Sequence, residues 1–516
     1  MTTIGGGPAG LFASILLRRS NPSLTVTVHE RSVPDETFGF GVALTKRTLE
    51  LLAAADQGVV RRLREAAVAM PPQEMRVGRR SVRSSGNAGG ICIARSALLT
   101  SLLDEARACG VRVELGSEVT LDDVRGADLV IAADGVASAV RGATPGRFGE
   151  RVSQGRGLFM WLGCDRQLDS NLFAPAFTEH GLFNIHCYPY AEGRSTIGVE
   201  TDVATWRRAG MDRWTEGTPA GESDKLSLAY LQEVFGDVLG GATLLGNRSR
   251  WTHFRTVTAE RWSAGNVVLI GDAAHTAHYS VGSGTKMAME DAVSLAAALT
   301  DPAHDSVGQA LTAYEADRRP RVEKLQGLAD RSRWWWETLG HRLDLPLEAL
   351  MMAYLSRGGA VPASRLAESD PALVNASLSA LGLGGTRVPL APHVLEGPVR
   401  VGGTSFASRV LPHRPQGLRV HELPAEIHDP WGDEATALVA RARTAADAAD
   451  VVVLTGPATR DDLLDRLALA EHVRLGGDTA IAVDASADHT DDIVDGIIAR
   501  RIDLVRFSPS TAPEEI

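Results

Sequence analysis

Gly5-Gly6-Gly7-Pro8-Ala9-Gly10 stands almost at the start of this 516-residue chain and matches the pattern G-x-G-x-x-G. The apolar run Leu11 to Leu17 follows, so the glycines are predicted to open a helix. Twenty residues past Gly10 comes Glu30, closing the alternating segment Leu24-Thr25-Val26-Thr27-Val28. Strand, glycine turn, helix and an acid on the next strand make a dinucleotide-binding unit. The glycines permit a tight turn and close approach of a pyrophosphate, and the acid meets ribose hydroxyls. This predicts an α/β fold with a Rossmann-type domain. Only Met1 to Ile4 precede the first glycine, so the first strand must be held by its neighbours.

Two further turns have matching chemistry. The apolar segment Asn266-Val267-Val268-Leu269-Ile270 delivers Gly271-Asp272-Ala273-Ala274-His275 to a turn. Gly282-Ser283-Gly284 then precedes a helix expected from about Thr285 to Leu299. Asp272 suits the hydroxyls of a ribityl chain, and Gly282 and Gly284 let backbone N–H groups approach a flat ring. The positive end of the helix would face the ring edge that becomes negative on reduction. By itself this stretch also reads as a strand-turn-helix with a capping aspartate. The third turn is Asp134-Gly135, at the end of Asp128-Leu129-Val130-Ile131-Ala132-Ala133, with Ser138 and Arg141 spaced to face the same phosphates.

In this order and spacing the three motifs resemble the single-component aromatic hydroxylases of the para-hydroxybenzoate hydroxylase superfamily. The segment from His275 to Lys286 carries Tyr279 where the commoner pattern has proline. It is similar instead to the salicylyl-CoA 5-hydroxylase and anthraniloyl-CoA monooxygenase subgroup, with violacein-type tryptophan hydroxylases as cousins. Phe38-Gly39-Phe40-Gly41-Val42, Thr178-Glu179-His180-Gly181-Leu182-Phe183, Val199-Glu200-Thr201 and Asn247-Arg248-Ser249-Arg250-Trp251 agree. The likeness runs over about residues 1 to 395 and weakens sharply afterwards.

The resemblance implies FAD as cofactor, NAD(P)H as co-substrate and O₂ as oxidant. Reduced flavin would form a C4a-hydroperoxide whose distal oxygen attacks an electron-rich aromatic ring. The ring would be an aminoaryl, phenol or indole, free or presented on CoA, a carrier protein or a peptide. The implied cofactor set is Gly5, Gly7, Pro8, Ala9, Gly10, Glu30, Arg31, Val42, Arg95, Val119, Asp134, Gly271, Asp272, Gly282, Gly284 and Thr285. Arg95 is the position that reaches the FAD phosphates, and Asp134-Gly135 serves both FAD and the passing NAD(P)H.

Composition narrows the partners. A net charge of −11 argues against nucleic acid, whose phosphates need a basic surface. No apolar run approaches a membrane span, and Met1 leads straight into the cofactor motif, so no membrane and a cytoplasmic setting are expected. Cys92, Cys109, Cys164 and Cys187 are scattered without metal spacing, so no metal is expected.

The FAD domain is expected from residues 1–157 and 255–300, around an antiparallel substrate-binding sheet at 158–254. A helical region at 301–395 would contain Trp334-Trp335-Trp336, read as helix packing ahead of an aromatic cage. Beyond, Val451-Val452-Val453-Leu454, Thr479-Ala480-Ile481-Ala482-Val483 and Asp503-Leu504-Val505-Arg506-Phe507 predict a small α/β module at 396–516. It faintly resembles the last units of an old-yellow-enzyme-like barrel. A full barrel needs about 250 residues. Asp484-Ala485-Ser486 and Ala499-Arg500 stand where glycines would receive an FMN phosphate. The module therefore reads as a flavin-free remnant kept for packing or for a homodimer.

Four residues are candidates for catalysis. His186 and Tyr188 share one face of their strand with Asn184, and His186 is the first choice for polarising the substrate. A histidine on the solvent face is the competing reading. His278 and Tyr279 precede Gly282 and would line the pocket. Lys286 reads equally as a flavin-edge or surface residue, and Trp161 as a pocket wall or a core residue. Arg76, Arg79, Arg80 and Arg83 could hold CoA or NADPH phosphates, or form a solvated loop. A flavin oxidase and a flavin-binding docking scaffold are the alternatives to a hydroxylase. The halogenase pattern W-x-W-x-I-P does not fit Trp334-Trp335-Trp336-Glu337-Thr338.

Overall fold

Thr2–Ile4, only three residues long, is held in mid-sheet by parallel neighbours on both sides. Thr2, Thr3 and Ile4 pair with Thr27, Val28 and His29 on one side and with Val130, Ile131 and Ala132 on the other. The computed structural model describes residues 1–33, 39–84, 89–143, 146–219, 221–385, 387–475 and 477–508. Phe38 lies outside these. One compact unit comprises residues 1–79 and 87–333; a second comprises 80–86 and 334–516.

The first sheet of the first unit runs in the order Ser263–Ala264, Val267–Leu269, Val130–Ala132, Thr2–Ile4, Thr27–Glu30, Arg112–Leu115. All of its pairings are parallel except that of Ser263–Ala264 with Val267–Leu269. Leu269 is level with Ala132, and Ala132 with Ile4. Three turns far apart in sequence thus leave one edge of the sheet side by side, at the carboxyl ends where open α/β sheets bind ligands. Helix Pro8–Ser20 buries every residue from Pro8 to Ile15, each large apolar side chain worth about 1.5–3 kcal/mol. It packs against helix Gly284–Thr300, which starts one residue before the expected boundary.

The second sheet runs in the order Leu244–Leu245, Glu150–Cys164, Arg194–Thr201, Gly181–Ala191, Asn171–Thr178, Gln73–Val77, and Thr252–Ala259 also pairs with Glu150–Cys164. Its register sorts the side chains into two faces. Leu158, Met160, Leu162, Phe183, Ile185, Ile197 and Val199 form a buried core. Helices Val203–Arg208, Met211–Gly217 and Lys225–Phe235 belong to that core through Trp206, Met211 and Leu231. These helices interrupt the stretch that sequence patterning reads as strands throughout. Phe159, Trp161, Asn184, His186, Gly198 and Glu200 stand on the opposite face, paired across strands.

The second unit contains a parallel sheet in sequential order, Val420–Pro424, Val451–Thr455, Ala480–Ala485, Leu504–Phe507. The first of these strands extends the three that sequence reveals. Val451, Val453, Ala480, Ala482 and Leu504 are covered by Phe406 and Leu411, Phe406 belonging to the hairpin Val399–Val401/Thr404–Phe406. Trp334, Trp335 and Trp336 are buried, and the last two pack on Tyr354. No helix among the described residues is long and apolar enough to cross a membrane.

Candidate active site

Each of the three turns has a distinct physical job. Gly5 has φ +106°, and a Cβ there would lie 2.3 Å from the Ala133 carbonyl oxygen, so the first turn and the Asp134 turn touch backbone to backbone. At Gly7 a Cβ would meet nothing within 4 Å. Gly7 also N-caps helix Pro8–Ser20 without a side-chain cap, leaving the first amides of that helix turned toward open space. Glu30 is fixed by the Gly6 N–H at 2.7 Å and the Ser32 N–H at 2.8 Å, one on each carboxylate oxygen. Gly10 and Ala9 sit in the closely packed helix behind.

At the second turn, Asp134 Oδ2 accepts from the Val140 N–H at 3.1 Å, while Oδ1 is buried without a hydrogen-bond partner. Ser138 accepts from the Arg141 N–H and caps the short helix Ala139–Gly142. Arg141 turns inward instead of facing phosphates: it donates to the carbonyls of Val136 and Ala273 at 2.7 and 2.6 Å. Its task is to tie the Asp134 turn to the Asp272 turn.

Asp272 is exposed to solvent. Desolvation by its surroundings still raises its carboxyl above the ordinary range, against the opposing pull of His275 and Arg95. Arg95, at the start of helix Arg95–Ala108, is therefore near enough to bear on Asp272. Gly271 is wedged between helices: its Cβ would be 3.2 Å from both Ala9 and Ala288. Ser283 N-caps helix Gly284–Thr300 without a side-chain cap, and its hydroxyl is buried and unpartnered. Gly282 and Gly284 again look onto open space. Two uncapped helix N-termini, an unpartnered Asp134 oxygen and an exposed Asp272 fit a bound FAD: amides and partial positive charge for the pyrophosphate and ring edge, carboxylates for its hydroxyls. Thr285 follows Gly284 and is half-buried, as is Val42 on strand Gly41–Leu44; Val119 packs on the core, and Arg31 is exposed.

Sequence reasoning missed the hub behind the Asp272 turn. Asp291 is fully buried and accepts from Gly271 N at 2.9 Å, His275 Nε2 at 2.7 Å and Arg318 Nε at 2.9 Å. His275 and Arg318 hold its carboxyl below the usual range despite burial. The available signal was a charged residue on the buried stripe Met287, Asp291, Leu295.

The polar face of the second sheet meets the Gly271–Gly284 segment through aromatic rings. Tyr279 lies 4.8 Å from Phe159, 5.2 Å from Trp161 and 5.7 Å from Phe254, centroid to centroid. Its hydroxyl donates to Glu200, which sequence reasoning placed only in a matching segment. His278 lies in the same cluster, with Nε2 3.8 Å from Glu200 Oε1. His186 is half-buried on this face, opposite Gly198, and Trp161 fills the space over that glycine. Tyr188 commits its hydroxyl to the Gly41 carbonyl at 3.0 Å, tying the sheet to strand Gly41–Leu44, and burial pushes its pKa well up. Arg76 is taken by Glu74 and the Val238 carbonyl. Lys286 pairs with Glu290.

A parallel sheet with three converging turns, beside an antiparallel sheet that carries a ring-lined polar face, defines a class of enzymes that hold FAD against an aromatic pocket. The FAD binding domain family matches residues 2–329. Salicyloyl-CoA 5-hydroxylase of a Streptomyces species is 41% identical over 379 residues, 72% of this chain and 72% of that protein. The 3-hydroxy-4-methyl-anthranilyl-[aryl-carrier protein] 5-monooxygenase of Streptosporangium sibiricum is 38% identical over 364 residues, 69% of this chain and 93% of that protein. Among solved structures, 2-methyl-3-hydroxypyridine-5-carboxylic acid oxygenase shares the fold, with TM-score 0.52, 24% identity and coverage of 69% of this chain and 95% of that one. The chain belongs to the FAD binding domain family and is an FAD- and NAD(P)H-dependent aromatic monooxygenase.

Proposed function

We propose that this enzyme hydroxylates a phenol or aminoaryl ring whose carboxyl is carried as a thioester on CoA or a carrier protein. The observation that carries the reading is Tyr279. It replaces the superfamily's commoner proline and builds a cluster with Phe159, Trp161, Phe254 and Glu200. Support comes from two relatives whose names specify CoA- and carrier-bound aryl substrates.

In this reading Gly5, Gly7, Gly10 and Glu30 hold the adenosine and pyrophosphate, with Arg95 on the phosphates. Asp134, Asp272 and the amides of Gly282, Gly284 and Thr285 hold the rest of FAD. Bound FAD, once reduced by NAD(P)H, supplies the activated oxygen. The chain's own residues orient the ring and keep water out: Phe159, Trp161 and Phe254 by apolar contact, His186 by polarising the ring substituent. Residues 1–157 and 255–300 serve the cofactor and 158–254 the substrate. Residues 396–516 form a flavin-free module for packing or self-association. Asp484 there is clamped by Arg506 at 2.7 and 2.9 Å, and Arg500 donates to the Ala380 carbonyl, which supports that assignment.

The test is NADPH oxidation by the purified flavoprotein with salicyloyl-CoA and anthraniloyl-CoA against the free acids. A thioester is expected to accelerate oxidation at least about tenfold, the worth of about 1.4 kcal/mol. Equal rates with thioester and free acid would refute the carrier reading. With the preferred ring, His186→Ala is expected to keep its flavin and lose turnover.

A further inference from the structure

Glu200 places a buried carboxylate on the strand Arg194–Thr201, where Tyr279 and His278 both approach its Oε1. Tyr279 donates its hydroxyl proton to Glu200 Oε1. The Ser280 N–H points at His278 Nδ1 from 3.4 Å, so Nδ1 carries the lone pair and Nε2 carries the proton. That Nε2 faces the same Oε1 at 3.8 Å. Ser280 Oγ lies 2.8 Å from Nδ1 and must donate to it, and Ser332 Oγ, 2.7 Å behind, then donates to Ser280. The hydroxyls of Ser332 and Ser280, the imidazole of His278 and the phenol of Tyr279 are thus aligned head to tail, with Glu200 as their common acceptor. An ionised carboxylate can only accept, so Oε1 of Glu200 is placed to receive the Tyr279 hydroxyl proton.

We infer that Glu200 is the proton acceptor for the substrate's ring substituent, acting through Tyr279. This deepens the function proposed above and rests on it. The substituent X–H transfers its proton to Tyr279 Oη as Tyr279 passes its own hydroxyl proton to Glu200 Oε1. The X–H and original Oη–H bonds break; a new Oη–H bond and an Oε1–H bond form. Negative charge moves from Glu200 to the ring substituent, which makes the ring a stronger electron donor, and Tyr279 ends unchanged. His278 turns its Nε2–H to the acceptor and holds Glu200 in place; Ser280 and Ser332 fix the tautomer that allows this. Glu200 is therefore a positioning residue with respect to the ring, and Tyr279 is the residue that touches it. His186, two strand positions along from Asn184, polarises from the same face.

The experiment follows the ionisation of bound salicyloyl-CoA by its phenolate absorbance, at a pH below the free ligand's phenol pKa and without NADPH. The wild-type holoenzyme is expected to show the phenolate band on binding. Glu200→Gln and Tyr279→Phe, each with full flavin content, are expected to bind the ligand without the band. Their kcat is expected to fall about 100-fold, at the low end of general-base contributions, with KM little changed. A phenolate band and wild-type kcat in either flavin-replete variant would overturn the relay. The two variants guard against one failing to fold. Salicyloyl-CoA that binds and ionises but never stimulates wild-type NADPH oxidation would overturn the proposed substrate class, and leave the relay standing as a binding property.

Discussion

A single buried carboxylate can organise a turn that it never enters. Asp291 gathers an amide, an imidazole and a guanidinium beneath Gly271, so its neutral replacement leaves Arg318 with a lost partner. Breaking a buried pair from one side costs about 3–5 kcal/mol. Asp291→Asn is therefore expected to lower the melting temperature and FAD affinity together, by thermal unfolding and flavin titration; a variant matching wild type in both would remove the hub role. Asp272→Ala separates from it. Asp272 makes no hydrogen bond within the hub, so that variant is expected to fold normally and emerge flavin-poor. Full flavin content in Asp272→Ala would take the residue out of the cofactor site. The Gly and Asp turns were legible in sequence because they are local: a strand end, a positive φ and a helix start lie within a few residues. Asp291 and Glu200 were not, because their partners lie 16 or more residues away in His275's turn, Arg318's helix or Tyr279's loop.

Elements show the same division. Helices Val203–Arg208, Met211–Gly217 and Lys225–Phe235 span 6, 7 and 11 residues, too short to impose a clear helical period beside strands. Their starts did carry a signal. Asp202 accepts from Thr205 N and Asp224 from Ser227 N, each an aspartate cap three residues before its donor. In the second unit, helix Thr490–Ile498 supplies Asp495 to the Ala363 N–H at 2.7 Å, at the start of helix Ala363–Ser369. Burial pushes the Asp495 carboxyl up to about 8, opposed by that N–H and by Arg501. In the unfolded chain it ionises near 4. Between these values the folded state holds a proton that the unfolded state has released, so stability falls as pH rises from about 4 to 8 and levels above, by at most about 1.4 kcal/mol per pH unit. Asp495→Asn is expected to flatten this slope in denaturant titrations across that range. An unchanged slope would place the pH dependence elsewhere.

At the scale of the whole molecule, the first unit joins two sheets with different jobs. The parallel sheet brings Ile4, Ala132 and Leu269 to one level, so that three motifs spread over more than 260 residues act as one cradle. The antiparallel sheet turns its apolar face to its own helices and its aromatic, acid-bearing face to Tyr279. Alternation along each strand predicted two faces; only cross-strand register showed which one meets the Gly271–Gly284 loop. The four-stranded module of the second unit was legible from its buried apolar runs, whereas the hairpin covering one side of it was not, since its strands are three residues each.

These turns and this face together are expected to move oxygen onto a ring. The direct measurement is mass spectrometry of the product formed from salicyloyl-CoA or anthraniloyl-CoA, NADPH and ¹⁸O₂. One ¹⁸O atom per hydroxylated ring is expected. NADPH consumed into hydrogen peroxide, with no labelled ring from either thioester or free acid, would contradict it.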